Sequence, residues 1–183
     1  MRFAFFGDVV GRPGKDDQAE PLPALRRRLD LEFVIINAEN ASAGFGLSEN
    51  SARQLFDAGA DCLTLGNHSW DQKEALTYIV REPRLIRPLN YPPLADAPGR
   101  GANLFETQTG KRILVMNVLG LVHMASMDDP FGAVGDSAGS VLVQSAVEVS
   151  GGYATKPGRT VEPHGLPFWV VAPEFLAVAD WER

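Results

Sequence analysis

The 183-residue sequence predicts an α/β fold in which a mainly parallel sheet with helices between its strands is followed by a β-hairpin that opens a second sheet. Three observations carry this expectation. Short apolar runs rich in β-branched residues alternate with stretches of helical periodicity, each of these runs stops at a polar loop, and two later runs are joined by a four-residue connection containing glycine.

Taken in order, Arg2 to Phe6 is a short buried strand that ends at the loop Gly7-Asp8-Val9-Val10-Gly11-Arg12-Pro13-Gly14. A helix follows around Pro23 to Leu29, with Arg26-Arg27-Arg28 as its solvated face or last turn. Phe33-Val34-Ile35-Ile36 has the continuous apolar character of a strand covered on both faces, and it stops at Asn37-Ala38-Glu39-Asn40. Beyond the loop Ala43-Gly44-Phe45-Gly46, Ser48 is a suitable N-cap. Ala52, Leu55 and Phe56 then share one helical face, and Gly59 stands where a helix-ending glycine belongs. Cys62 to Leu65 forms the third strand, ended by Gly66-Asn67-His68-Ser69-Trp70-Asp71. A helix over roughly Gln72 to Val80 comes next, and Leu85-Ile86-Arg87-Pro88 is a short edge strand, because proline cannot donate to a ladder. Asn103 to Thr107 and Arg112 to Val118, joined by Gln108-Thr109-Gly110-Lys111, make the hairpin. After Asp128-Asp129-Pro130-Phe131 the texture changes. Val141-Leu142-Val143, Val147-Glu148-Val149 and Phe168-Trp169-Val170-Val171 are strand candidates there, and no helix shows a clear cap with periodicity.

Composition narrows the function. With 45% hydrophobic residues the chain buries a real core, enough for one domain or one domain and a fragment of another. A net charge of −6 without a Lys/Arg stripe excludes an extended nucleic-acid surface and leaves room for a small anionic ligand held through a metal. The single cysteine, Cys62, lies in an apolar run and reads as a buried strand thiol, so no intrachain disulfide forms. The apolar residues Phe3-Ala4-Phe5-Phe6 are too few for a signal-peptide core, and no later run reaches bilayer length, so the expectation is a cytoplasmic protein without a membrane partner.

The chemistry lies at the strand ends. Three successive strands end in residues able to ligate a hard metal, namely Asp8, then Glu39 with Asn40, then Asn67 with His68. In a parallel sheet these ends converge on one crevice. Each residue alone has an ordinary structural reading, as a turn former, a loop amide or a structural histidine. Their coincidence favours a site, because clustered carboxylates repel unless a cation lies between them. Carboxylates and amide oxygens with one imidazole suit a divalent or iron-type centre better than a closed zinc site. A phosphate-loop reading of Gly7, Gly11, Gly14 and Lys15 fails on spacing, since Asp16 follows Lys15 and Val9 stands where the first glycine is needed.

Gly66-Asn67-His68 resembles the Gly-Asn-His signature of calcineurin-like metallophosphoesterases. Gly7-Asp8-Val9-Val10-Gly11-Arg12-Pro13-Gly14, Ile36-Asn37-Ala38-Glu39-Asn40, Gly66-Asn67-His68-Ser69-Trp70-Asp71 and Arg87-Pro88-Leu89-Asn90-Tyr91 together are similar in type and spacing to the YmdB-type family. Val10 replaces the usual first-motif histidine of the superfamily, and Glu39-Asn40 replaces its usual second motif, both as in the YmdB type. The resemblance implies a metallophosphoesterase-type α/β sandwich, incomplete in this chain. It further implies a metal-dependent phosphodiesterase that opens 2′,3′-cyclic nucleotides through a metal-activated hydroxide, with two iron or manganese ions as cofactors. By resemblance Asp8 and Asn40 ligate one metal, Glu39 bridges two, Asn67 ligates the second, and His68 donates a proton to the leaving alkoxide.

The resemblance covers residues 1–131 and leaves 132–183 as an unmatched tail. The family completes its site with a histidine in an Asp-Phe-His-Ala-Glu stretch and two in a Gly-Thr-His-Thr-His stretch, and this sequence has neither. Beyond His68 it holds only His123 and His164, which lack those neighbours. A frameshift or truncated gene model accounts for this most simply, with a genuine divergent tail as the competing explanation. The alternative function is a non-catalytic remnant that retains metal or nucleotide binding without hydrolysis.

Overall fold

A computed structural model describes residues 1–11, 22–121 and 124–144, together with three short strands at 153–154, 160–161 and 168–171. Four parallel strands, β1 (Phe3–Phe6), β2 (Phe33–Asn37), β3 (Cys62–Thr64) and β4 (Leu85–Ile86), lie side by side in chain order. The helices α1 (Leu22–Leu29), α2 (Glu49–Asp57) and α3 (Ala75–Arg81) occupy the crossovers between them. The pairs Phe3↔Phe33, Ile35↔Cys62 and Leu63↔Leu85 set the register.

The continuous apolar run of β2 is buried at every residue, and its pleat sends alternate side chains into two different cores. Val34 and Ile36, with Leu63 and Leu85, meet Leu22 of α1, Leu55 and Phe56 of α2, and Tyr78 and Ile79 of α3. Phe33 and Ile35, with Cys62 and Ile86, meet Ile113 and Val115 on the other face. Those two residues belong to β6 (Arg112–Asn117), which pairs antiparallel with β5 (Ala102–Glu106) as the predicted hairpin. The layers are therefore helices, parallel sheet and second sheet, the α/β sandwich expected of the sequence. Each fully buried aliphatic side chain of β2 contributes about 1.5–3 kcal/mol. Burial also pushes the Cys62 thiol well above its usual pKa, which keeps it protonated and inert.

Local signals in α2 are met by the backbone. Ser48 Oγ accepts from Ser51 N at 3.1 Å, and at the other end Gly59, with φ of 112°, lets Gly59 N reach Phe56 O and Ala60 N reach Leu55 O. The next helix starts at Ala75, later than the predicted Gln72. Asp71 and Gln72 are held by other partners, His68 Nδ1 and the Phe45 carbonyl, and Ala75 N, Leu76 N and Thr77 N reach back only three residues before Tyr78 N makes an i→i+4 bond to Glu74 O.

The carboxyl-terminal part departs further from expectation. Val141-Leu142-Val143, a strand candidate in the sequence, lies in a fifteen-residue helix, α4 (Pro130–Gln144). The cap overlooked in the sequence is Asp129, whose Oδ1 accepts from Phe131 N at 3.1 Å and whose carbonyl receives Ala133 N, with Pro130 at the first helical position. Val134 of this helix packs on Leu114, Met116 and Val118, the outer face of the hairpin sheet. Of the other candidates, Phe168–Val171 is a strand, β9, parallel to β6. Val147-Glu148-Val149 lies outside the described residues. The remaining pair, β7 (Tyr153–Ala154) and β8 (Thr160–Val161), is antiparallel. Among the described residues no helix is long and apolar enough to cross a membrane.

Glu32 ties the hairpin to the start of β2. Lys111 Nζ lies 2.8 and 2.9 Å from its two carboxylate oxygens and Thr109 Oγ1 donates at 2.6 Å, which lowers its pKa from 4.5 to about 2. Because the folded value is depressed, this contribution is present above pH 4.5 and is lost as pH falls through about 2. Lys111→Met is therefore expected to be less stable than the parent at pH 7, with the gap narrowing steadily below pH 4.5 in urea titrations; a gap independent of pH would rule the ion pair out as its source. For the helix signals, Ser48→Ala is expected to cost about 1 kcal/mol and Leu55→Ala roughly 2–5 kcal/mol in the same measurement.

Candidate functional site

The polar loops at the carboxyl ends of β1, β2 and β3 are hydrogen-bonded to one another. Val9 N donates to Asn37 O and Gly11 N to Asn40 O, while Ala38 N donates to Thr64 O, so the ladder continues past the strands and holds the loops in register. Asp8 is exposed and sits in the left-handed region at φ of 48°, a conformation that aspartate tolerates better than most residues. Its Oδ1 receives Asn40 Nδ2 at 2.7 Å. The first and second strand ends therefore touch through two of the candidate ligands.

Glu39 joins the second strand end to the third. Its side chain is buried, Oε2 accepts from His68 N at 3.1 Å, and Oε1 lies 3.5 Å from Asn37 Nδ2. The carboxylate rests directly on Gly66, where an added Cβ would stand 2.2 Å from Oε1 and 2.3 Å from Oε2. Only glycine leaves room for it. Asn67 follows as an exposed residue at the same strand end. On the far side the loop is pinned from the second sheet, where Asn117 Nδ2 donates to Leu65 O at 2.6 Å.

His68 is half-buried and its Nδ1 lies 2.6 Å from Asp71 Oδ2. A carboxylate at this position favours a proton on Nδ1 and leaves Nε2 for other partners. The Phe45 ring meets the imidazole edge to face, with centroids 5.3 Å apart. Neither Asp71 nor Phe45 stands out in the sequence. An aspartate three residues after a histidine in a turn is the only local hint of the first, and Phe45 is brought in from the loop after β2.

The electrostatics of this rim are unbalanced. Among the described residues, neither Asp8 nor Glu39 has a basic side chain within ion-pair distance. Among those residues, three buried side-chain oxygens find no hydrogen-bond partner: Oδ1 of Asn37, of Asn40 and of Asn117. Two of them flank Glu39, and the third belongs to the residue that holds Leu65. Among the described residues no three His, Cys, Asp or Glu side chains cluster as a conventional metal site, so the donors assembled here are two carboxylates and neighbouring amides. His164 and His123 lie outside the described residues.

A family model described as "YmdB-like protein" matches residues 4–149. The chain belongs to the YmdB-like family. This relationship is visible in a 2′,3′-cyclic-nucleotide 2′-phosphodiesterase of Bacillus subtilis (strain 168), 43% identical over 131 residues, which are 72% of this chain and 48% of that protein. Among solved structures of similar fold are a hypothetical protein from Thermus thermophilus and a phosphatase from Mycoplasma pneumoniae. The first is 41% identical at a TM-score of 0.69, covering 75% of this chain and 52% of the other. The second is 32% identical, also at 0.69, covering 75% and 50%. The chain thus spans about half the length of these relatives. A second family model, "Putative beta-barrel porin 2", matches residues 129–183 and so overlaps the YmdB-like match at the helix α4.

The contact between Glu39 and Gly66 is open to test. Gly66→Ala forces the carboxylate away and deprives His68 N of its acceptor, and is expected to cost roughly 1–3 kcal/mol with faster amide exchange at His68. Gly135→Ala, in α4 with open space around the added methyl, is expected to be neutral or stabilising by up to about 1 kcal/mol. Equal behaviour of the two variants in denaturant would show that Glu39 is not confined by Gly66.

Proposed function

We propose that the chain carries the amino-terminal part of a metal-dependent phosphodiesterase acting on 2′,3′-cyclic nucleotides. The observation that carries this reading is the pairing of Asp8 and Glu39, which lack a basic partner among the described residues, with the orphaned amide oxygens of Asn37 and Asn40. Buried oxygens without donors beside carboxylates without cations are costly unless a cation completes them. All of these donors are hard oxygens, the type preferred by manganese and, with imidazole, by iron.

On this reading Asp8 and Asn40 would hold one metal, Asn67 would hold a second, and Glu39 would serve both. When bound, the metals supply charge neutralisation at the phosphoryl oxygens and activation of water at neutral pH. His68 gives the proton from Nε2 to the ribose oxygen as its bond to phosphorus breaks, and Asp71 at Nδ1 keeps the ring turned. Gly66 and Asn117 position the loop without touching the reacting atoms. The B. subtilis relative is named for the same substrate class.

A second reading, a metal- or nucleotide-binding module without turnover, is favoured by the scarcity of imidazole: only His123 and His164 follow His68. The two readings separate in an assay of metal content and turnover with added manganese or iron. Asp8→Asn, which keeps a residue tolerant of the left-handed backbone, is expected to lower metal affinity at least about 10–100-fold. Turnover by the chain as given is expected to be very low, to rise strongly when a second half carrying the missing histidine stretches is restored, and to vanish with His68→Ala while metal is retained. Equal metal-dependent turnover with and without that half would mean that the chain already supplies its own substitutes. Unchanged metal binding in Asp8→Asn would refute the metal centre.

A further inference from the structure

Phe45 is one of the most exposed large apolar side chains of the described residues, at 60% exposure, yet its backbone is tied down on every side. Its loop turns through Ala43, Gly44 and Gly46, all at positive φ, and closes on itself by Phe45 N to Ser42 O and Ser42 N to Gly46 O. Ser42 Oγ in turn receives Ser48 N at 2.7 Å at the head of α2. From the other strand end, Gln72 Nε2 donates to the Phe45 carbonyl at 2.9 Å, and Gly46 packs so closely that an added Cβ would stand 2.8 Å from Gln72 Cγ. The same Asp71-Gln72 segment holds His68 through Asp71. The loop and the proton donor are thus fixed in one frame, with the aromatic edge-to-face contact between them.

A single exposed apolar side chain is ordinary, but this one is held by its backbone at both ends and lies edge to face against His68, so a fixed π face stands at the rim of the polar site. We propose that Phe45 is the residue that takes the nucleobase, stacking its free face on the base while the cyclic phosphate lies at Asp8, Glu39 and His68. This rests on the nucleotide reading above and adds to it a specificity: nucleosides are selected over base-free phosphodiesters, with weak discrimination among bases, because every base offers a π face. Pre-ordering of the ring reduces the entropy lost on binding.

The test is equilibrium binding, in manganese, of three ligands to the parent, Phe45→Ala and Phe45→Trp: adenosine 2′,3′-cyclic phosphate, adenosine, and a ribose 2′,3′-cyclic phosphate lacking the base. Phe45→Ala is expected to weaken both adenosine ligands about 10-fold or more and to leave the base-free phosphate unchanged, with Phe45→Trp retaining or improving the parent affinity. Matched circular dichroism and unfolding midpoints confirm that the variants fold. Equal loss on all three ligands, no loss on any, or no binding of either adenosine ligand to the parent would overturn the assignment. Loss confined to the adenosine ligands, in a parent that does not bind the base-free phosphate, would uphold Phe45 and instead refute the phosphodiester site.

Discussion

Burial of β2 on both faces is the constraint on which the rest of the structure depends. Val34, Ile35 and Ile36 have no exposed surface, so the strand has nowhere to place polar chemistry except its carboxyl end. Asn37 to Asn40 therefore emerge at the rim, and the parallel pairing of β1 and β3 on either side brings Asp8 and Gly66 to Ser69 to the same level. Covering both faces requires two layers, which explains why the helices alone are insufficient and the hairpin must pack on the second face.

That geometry concentrates charge and unsatisfied polarity in a small space. Glu39 is only 8% exposed and, among the described residues, is held by a backbone N–H rather than by a cationic side chain. Among the described residues Asn40 uses its amide nitrogen on Asp8 and leaves its oxygen unpaired, and Asn37 does the same towards Glu39. A folded protein satisfies nearly all such groups, and the exceptions gather where a ligand completes them. The concentration of orphaned oxygens around β2 and β6 is a stronger signal than any one residue of the site.

The second sheet does more than cover. Asn117 at the end of β6 reaches Leu65, one residue before Gly66, and Lys111 at the turn reaches Glu32 before β2. The hairpin thereby clamps the parallel sheet at its amino and carboxyl ends, and Asn90 reinforces the rim by bonding Leu119 and the Asp128 carbonyl. Beyond Asp128 the chain continues into α4, where the two family matches overlap.

The order of elements, the two-sided burial of β2, the limits of α2 and the loops that hold Asp8, Glu39, Asn40, Asn67 and His68 were legible in the sequence, because they depend on periodicity, caps and glycines that act within a few residues. The start of α3 and the helix over Val141–Val143 were not. In the first, Gln72 bonds to the Phe45 carbonyl, which only the fold brings near, while Asp71 turns back to His68, and in the second a single aspartate cap outweighs β-branched composition. The sequence by itself determined which residues stand at strand ends. The tertiary structure alone decided that Glu39 lies on Gly66 and that Phe45 stands against His68, since these contacts join segments up to 29 residues apart and depend on strand register rather than on local propensity.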